Sequence, residues 1–160
     1  MRHTLILATC LALAPLAQAA GVVEVNFKPA DQLTDIGRGS LERERNVKAL
    51  AEHFQSLAAR LPDGQTLKVE VLDVDLAGEL RPTRRGDEVR VMRGGADWPA
   101  MDLRWQLLQG GRTLSSGGER LADMAYLQFG RRPATDSLVP YEARMIDRWF
   151  DERFNAAAAR

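Results

Sequence analysis

The run from Leu67 to Leu80, LKVEVLDVDLAGEL, sets the terms on which this 160-residue chain can fold. Its first half puts Leu67, Val69 and Val71 on one side and Lys68 and Glu70 on the other, the period of two of a strand with one buried face. From Leu72 onward the parity is reversed: Leu72, Val74 and Leu76 hold the apolar positions and Asp73 and Asp75 the polar ones. Such a switch requires either a bulge near Val71 and Leu72 or a strand buried on both faces. Burial on both faces would enclose two carboxylates roughly 7 Å apart, each needing a charge partner or a proton. A bulge turns both to water, and is the reading adopted. Gly78 then offers a permissive backbone, and Pro82 is expected to prevent further pairing.

Before this strand, Val23, Val25 and Phe27 alternate with Glu24 and Asn26, which predicts a first half-exposed strand closed by Pro29. A loop with Asp35, Gly37 and Gly39 leads to Ser40, placed to cap a helix whose first turns carry Glu42 and Glu44. Val47, Leu50, Phe54, Leu57 and Leu61 form its apolar stripe, and Pro62-Asp63-Gly64 ends it. Residues 22–76 therefore read as a β-α-β unit, with its two strands parallel and either adjacent or one strand apart.

Beyond an Arg-rich connection, a short strand is expected around Glu88 to Met92. The strongest hairpin signal follows, Asp102 to Gln109 and Arg112 to Leu121 joined by Gly110-Gly111. Counting outward from that turn pairs Leu107 with Leu114, Trp105 with Ser116 and Leu103 with Gly118. Ala122 to Asp136 shows no period and reads as a loop with packed aromatics. Ser137 is placed to cap a last helix with apolar rows Tyr141, Met145, Trp149 and Ile146, Phe150, Phe154. Its other face, with Arg144, Asp147, Arg148, Asp151 and Glu152, suits ion pairs within the helix. The tail Ala156 to Arg160 is expected to fray. The architecture predicted is a single α+β domain, a mixed four- or five-stranded sheet with two helices packed on one face.

The first twenty residues are a different kind of sequence. A basic start at Arg2 and His3, the apolar core LILATCLALAPL and the small-x-small Ala17-Gln18-Ala19 have the form of a cleaved secretory signal. The expected division is thus 1–20 signal peptide and 21–160 a single domain, exported to the periplasm. The apolar run is too short to span a bilayer, and no transmembrane segment is expected in the mature chain. The only cysteine, Cys10, lies inside that run, so the mature chain offers no disulfide, thiol nucleophile or thiolate metal site. With 22 basic and 22 acidic residues and a formal net charge of zero, a general nucleic-acid binder is not indicated.

The mature chain holds one histidine, His53, which falls off the apolar stripe of its helix and reads as a rim residue. There is no G-x-S-x-G elbow, no H-E-x-x-H spacing and no glycine pair in the strand-to-helix context of a phosphate loop. No catalytic residue, metal site or cofactor is signalled. What remains is Asp73, Asp75 and Glu79, together with Arg81, as a ligand-binding candidate. Carboxylates in a row can hold a hard cation such as Ca²⁺ or act as an acid/base pair, and the bland alternative is a strand edge kept soluble by charge. Arg81, Arg84, Arg85, Arg90 and Arg93 form a second group suited to an anionic partner, interrupted by Asp87 and Glu88.

The segments VEVNF (Val23 to Phe27), DIG (Asp35 to Gly37), LDVDLAGE (Leu72 to Glu79), Trp98-Pro99, the Leu-x-Trp and Gly-Gly hairpin and YEARMIDRWFDERF (Tyr141 to Phe154) resemble a bacterial family of exported proteins catalogued as domain of unknown function 3016. The resemblance covers nearly all of the mature chain and implies a periplasmic protein of a Gram-negative bacterium. It transfers no activity, cofactor or catalytic residue. Two readings follow from the residues: a non-enzymatic periplasmic binding or interaction module, or a small carboxylate-dependent hydrolase acting on an envelope component. The partner implied is an envelope protein or an anionic envelope component.

Overall fold

In chain order the elements are β1 (Val22–Phe27), α1 (Ser40–Ser56), β2 (Gln65–Asp75), β3 (Glu79–Pro82), β4 (Glu88–Val91), β5 (Ala100–Gln109), β6 (Arg112–Ala122) and α2 (Pro140–Phe150). They come from a computed structural model that describes residues 20–128 and 137–155. The segment expected to be a signal peptide, up to residue 19, residues 129–136 of the expected Ala122 to Asp136 loop and the tail after Asn155 lie outside the described residues.

The alternation of β1 and β2 has the expected outcome, since the two pair in parallel as neighbours, Val23 opposite Leu67 and Phe27 opposite Val71. β2 also pairs antiparallel with β5, and β5 with β6, which gives a mixed four-stranded sheet in the order β1-β2-β5-β6. The register of β2 on β5 shifts between Val71 and Asp73, so Leu72 is the bulge that the parity change demanded. Either side of it Leu67, Val69, Val71 and Val74 all reach the same core, each at most 2 % exposed.

That core is closed by both helices on one face. Leu50, Phe54 and Leu57 from α1 and its continuation, and Met145, Ile146, Trp149 and Phe150 from α2, are buried against the strands. Phe54 and Trp149 meet edge to face at 6.3 Å, joining the two helices. After Phe150 the chain makes a wider π-type turn over Asp151–Asn155, which swings Phe154 against Trp105, Trp149 and Phe150. The molecule is a single α+β domain.

The Gly110-Gly111 turn has φ of 55° and 80°, both left-handed, as a type I′ hairpin requires. The register counted from it holds for two residue pairs only, Gln109 with Arg112 and Leu108 with Thr113. Between Leu107 and Leu108 the pairing shifts, so Leu107 faces Ser115, Trp105 faces Gly117 and Leu103 faces Glu119. The extra residue is Leu114, which is half exposed. Gly117, not Gly118, therefore makes room for the indole: a Cβ there would lie 3.0 Å from the Trp105 ring.

Four further expectations are corrected. Ser40 and Ser137 cap neither helix. The cap positions are Gly39 and Val139, neither with a side-chain cap. Glu42 reaches back to the Arg38 N–H, and Ser137 Oγ accepts the Val139 N–H to shape the turn before Pro140. Pairing does not stop at Gly78, because β3 and β4 form a separate two-stranded ribbon and Pro82 sits in its last pair, opposite Glu88, where no further ladder bond is needed. The charged face of α2 makes its ion pairs with other elements rather than along the helix. Arg144 and Arg148 bind the buried Asp123, and Asp147 binds Arg60. His53 is partly buried, its Nε2 3.4 Å from Asp147.

Candidate functional site

The Asp73/Asp75 pair lies beyond the end of β1, where residues 34 and 35 take the place of that strand. Asp35 N–H donates to Val74 O at 2.9 Å and Leu76 N–H to Asp35 O at 3.1 Å, so this part of β2 is covered on both sides and is not an open edge. The two carboxylates are half buried rather than freely solvated. Asp73 accepts the Thr34 N–H at 2.8 Å and the Thr34 hydroxyl at 2.7 Å. Although burial acts in the other direction, these bonds hold its carboxyl below the usual range. Asp75 is pushed up, first by burial and then by repulsion from Asp35 and Asp73. The hollow between them, bordered by Asp102 and Arg120, measures about 40 Å³. Among the described residues no three His, Cys, Asp or Glu side chains are arranged to hold a metal ion.

Glu79 and Arg81 are not part of that cluster. Both are exposed on β3, two residues apart on one side of the ribbon, and pair with each other. The structure thus separates the four sequence candidates into two places.

A larger feature lies at the root of the ribbon, where the first turns of α1 and α2 converge. A groove of about 750 Å³ runs there, lined by Arg38, Arg45 and Asn46, by Arg90 and Glu142, and by Leu41, Leu76, Met92, Leu138 and Tyr141. Its walls are held by side chains from distant segments. Arg90 grips Asp35 with both terminal nitrogens, at 2.8 and 2.9 Å, and also donates to Gly78 O at 3.0 Å. This two-pronged pair fixes the ribbon to the loop before α1. Gly78, at φ 83°, is where the chain leaves β2 for the ribbon, and a Cβ there would approach Val91 O to 2.9 Å. Asn46 donates to Ile36 O at 3.0 Å from within α1.

Glu142 forms the floor on the α2 side. It is 3 % exposed and accepts the Ala77 N–H at 2.8 Å. Arg90 is committed to Asp35, and burial raises the Glu142 carboxyl above the usual range. Sequence reasoning passed over Asp35, Asn46 and Glu142. Glu142 carried a usable signal, since it stands on the buried stripe of α2 three and four residues before Met145 and Ile146. A charged residue on an apolar stripe is the kind that needs a specific partner.

Over residues 21–152 the chain matches the family described as protein of unknown function (DUF3016). It belongs to that family. No curated protein and no solved structure matches the chain. Within this DUF3016 domain, three segments that carry the resemblance meet at the groove: Asp35 to Gly37, Leu72 to Glu79 through Leu76 and Ala77, and Tyr141 to Phe154 through Tyr141 and Glu142.

Proposed function

We propose that the protein is a non-enzymatic periplasmic binding or interaction module whose seat is the groove at the first turns of α1 and α2. The observation that carries this reading is the groove itself: a concave site of about 750 Å³ whose structural polar groups are already tied to one another, leaving Arg45 and a rim of aliphatic side chains to meet a ligand. Those remaining groups suit a partner that is anionic and partly apolar, in keeping with an anionic envelope component. The neutral net charge supports a partner other than nucleic acid. Among the described residues no helix is long and apolar enough to cross a membrane.

The test is a melting-shift and native mass-spectrometry screen of anionic amphiphiles, glycans and divalent cations, run on the wild type and on Arg45→Glu. A ligand that raises the melting temperature of the wild type and not of Arg45→Glu is the expected result. Ligands that act equally on both would remove the groove from the reading.

The hydrolase alternative has one observation in its favour. The Asp73 and Asp75 environments push the two carboxyls in opposite directions, the pattern of an acid/base pair. The adjoining hollow, however, has room for about one water molecule. Hydrolysis of a chromogenic ester or glycoside by the wild type, lost in Asp75→Asn, would replace the binding reading.

A further inference from the structure

Exposed aliphatic side chains gather around this groove. Leu41 is 58 % exposed, Met92 40 % and Leu138 63 %, and all three line its rim. Single apolar side chains on a surface need no explanation, but several at one place mark a site of contact. They project at a rim instead of lining a closed pocket, so a small ligand in the groove would leave most of their surface wet.

The charge beside them is mostly unspent arginine. The guanidinium groups of Arg45 on α1, Arg84 and Arg85 at the ribbon tip and Arg93 after β4 have no carboxylate partner among the described residues. Of the nearby acids, Glu88 pairs with Arg38, Glu79 with Arg81 and Asp35 with Arg90, while Glu42, which lines the groove, accepts the Arg38 backbone N–H. Asp87 at the tip and Glu42 and Glu44 on α1 are exposed and reduce the positive excess of these four arginines without cancelling it.

We propose that this end of the molecule docks on the surface of an anionic phospholipid bilayer. The arginines meet lipid phosphates, and Leu41, Met92 and Leu138 enter the boundary between headgroups and acyl chains. Basic side chains interleaved with protruding aliphatic ones are what such a surface selects, since charge draws the protein in and apolar burial holds it. The inference rests on the binding reading above and names its partner.

The test uses the chain from Ala20 onward, which holds every described element, in co-sedimentation with vesicles of phosphatidylglycerol or of phosphatidylcholine at low and high salt. Binding to phosphatidylglycerol, weak binding to phosphatidylcholine and loss of binding with salt are expected. Each basic residue at an anionic surface changes partitioning by roughly fivefold, so Arg84→Ser with Arg85→Ser should weaken it by about tenfold or more. Leu41→Ser with Leu138→Ser, both exposed and checked for an unchanged melting temperature, should weaken binding at low and high salt alike. No binding to phosphatidylglycerol, or equal binding to phosphatidylcholine, overturns the proposal. So does capture of polyglutamate as strong as that of vesicles with the leucine variant unaffected, which would assign the arginines to an acidic polypeptide. A melting shift with monomeric lysophosphatidylglycerol but no vesicle binding would sink the bilayer and leave the groove's binding role standing. Absence of both would remove the two together.

Discussion

Asp97 and Glu142 are buried carboxylates tied to successive residues of the chain, yet the regions around them hold charge in opposite ways. Gly78 N–H donates to Asp97 O, and Ala77 N–H to the Glu142 carboxylate, both at 2.8 Å. The Asp97 carboxylate is surrounded by donors: the Arg93 N–H at 2.6 Å, the Gly95 N–H at 2.9 Å and the Tyr126 hydroxyl at 2.8 Å. Burial works against it, but these bonds hold its carboxyl below the usual range. Burial, and then donation to Asp97, pushes the Tyr126 hydroxyl up to about 12. Glu142 accepts from one other residue, and burial wins. The number of donors, and not depth alone, decides which carboxylate keeps its charge. The half-buried pair on β2 repeats the contrast, for Asp73 accepts two bonds from Thr34 and is lowered, whereas Asp75 accepts none among the described residues and is raised.

The largest test of this comparison is Asp97→Ala. It strands the Tyr126 hydroxyl and two N–H groups, and should cost about 3 kcal/mol in urea unfolding at neutral pH. Because the folded-state value of Asp97 is depressed, its contribution is present above the ordinary value of 3.8 and fades as pH falls through the folded one. The gap between wild type and variant should therefore narrow in acid, and a gap that stays constant would mean the donors matter sterically rather than through charge. Asp73→Asn comes next, at about 1–1.5 kcal/mol, since the amide can accept from Thr34 but forfeits the charge assistance. A loss of 3 kcal/mol or more would show that Asp73 does more than hold Thr34.

Glu142→Gln should act with the opposite sign. The amide keeps an acceptor for Ala77 N–H and removes a proton-binding group whose folded value is raised. The stability that wild-type Glu142 contributes is complete below the ordinary value of 4.5 and is lost as pH rises through the folded one. The variant should match the wild type in acid and exceed it by roughly 1 kcal/mol or less at neutral pH. A variant less stable at neutral pH would reveal an ionised Glu142 with a partner. The smallest effect belongs to Asp75→Asn, within about 0.5 kcal/mol and of the same pH sign, because no donor is left unpaired. A cost above 1 kcal/mol would place a donor on Asp75.

The sequence disclosed those parts of the fold in which inside and outside differ strongly. The β2 bulge was legible because Val71 and Val74 are apolar and the residues between them change parity. The bulge at Leu114 was not, since its neighbours Arg112, Thr113, Ser115 and Ser116 are polar on both faces and leave no parity to break. β3 was hidden for another reason. Gly78 and Pro82 read as stops, and the ribbon is held at its root by Arg90 reaching a loop instead of by an apolar face. The site was the least legible part. Asp73 and Asp75 attract notice as neighbours in sequence, while Asp35, Arg90 and Glu142 acquire meaning only once the fold brings them to Ala77 and Gly78.

The bonds that build the groove close very long loops. Arg90 and Asp35 are 55 residues apart, and Glu142 and Ala77 are 65 apart, whereas the β5–β6 hairpin closes through a two-residue turn. Loop-closure entropy makes such distant bonds late arrivals during folding, and early ones to break when the native chain fluctuates. In native-state hydrogen exchange the Ala77 amide should thus open well before those of Leu103 and Trp105 at the centre of β5. The surface offered to a partner would then be the part of the molecule that assembles last, and a partner seated there would slow its exchange while leaving the sheet unchanged.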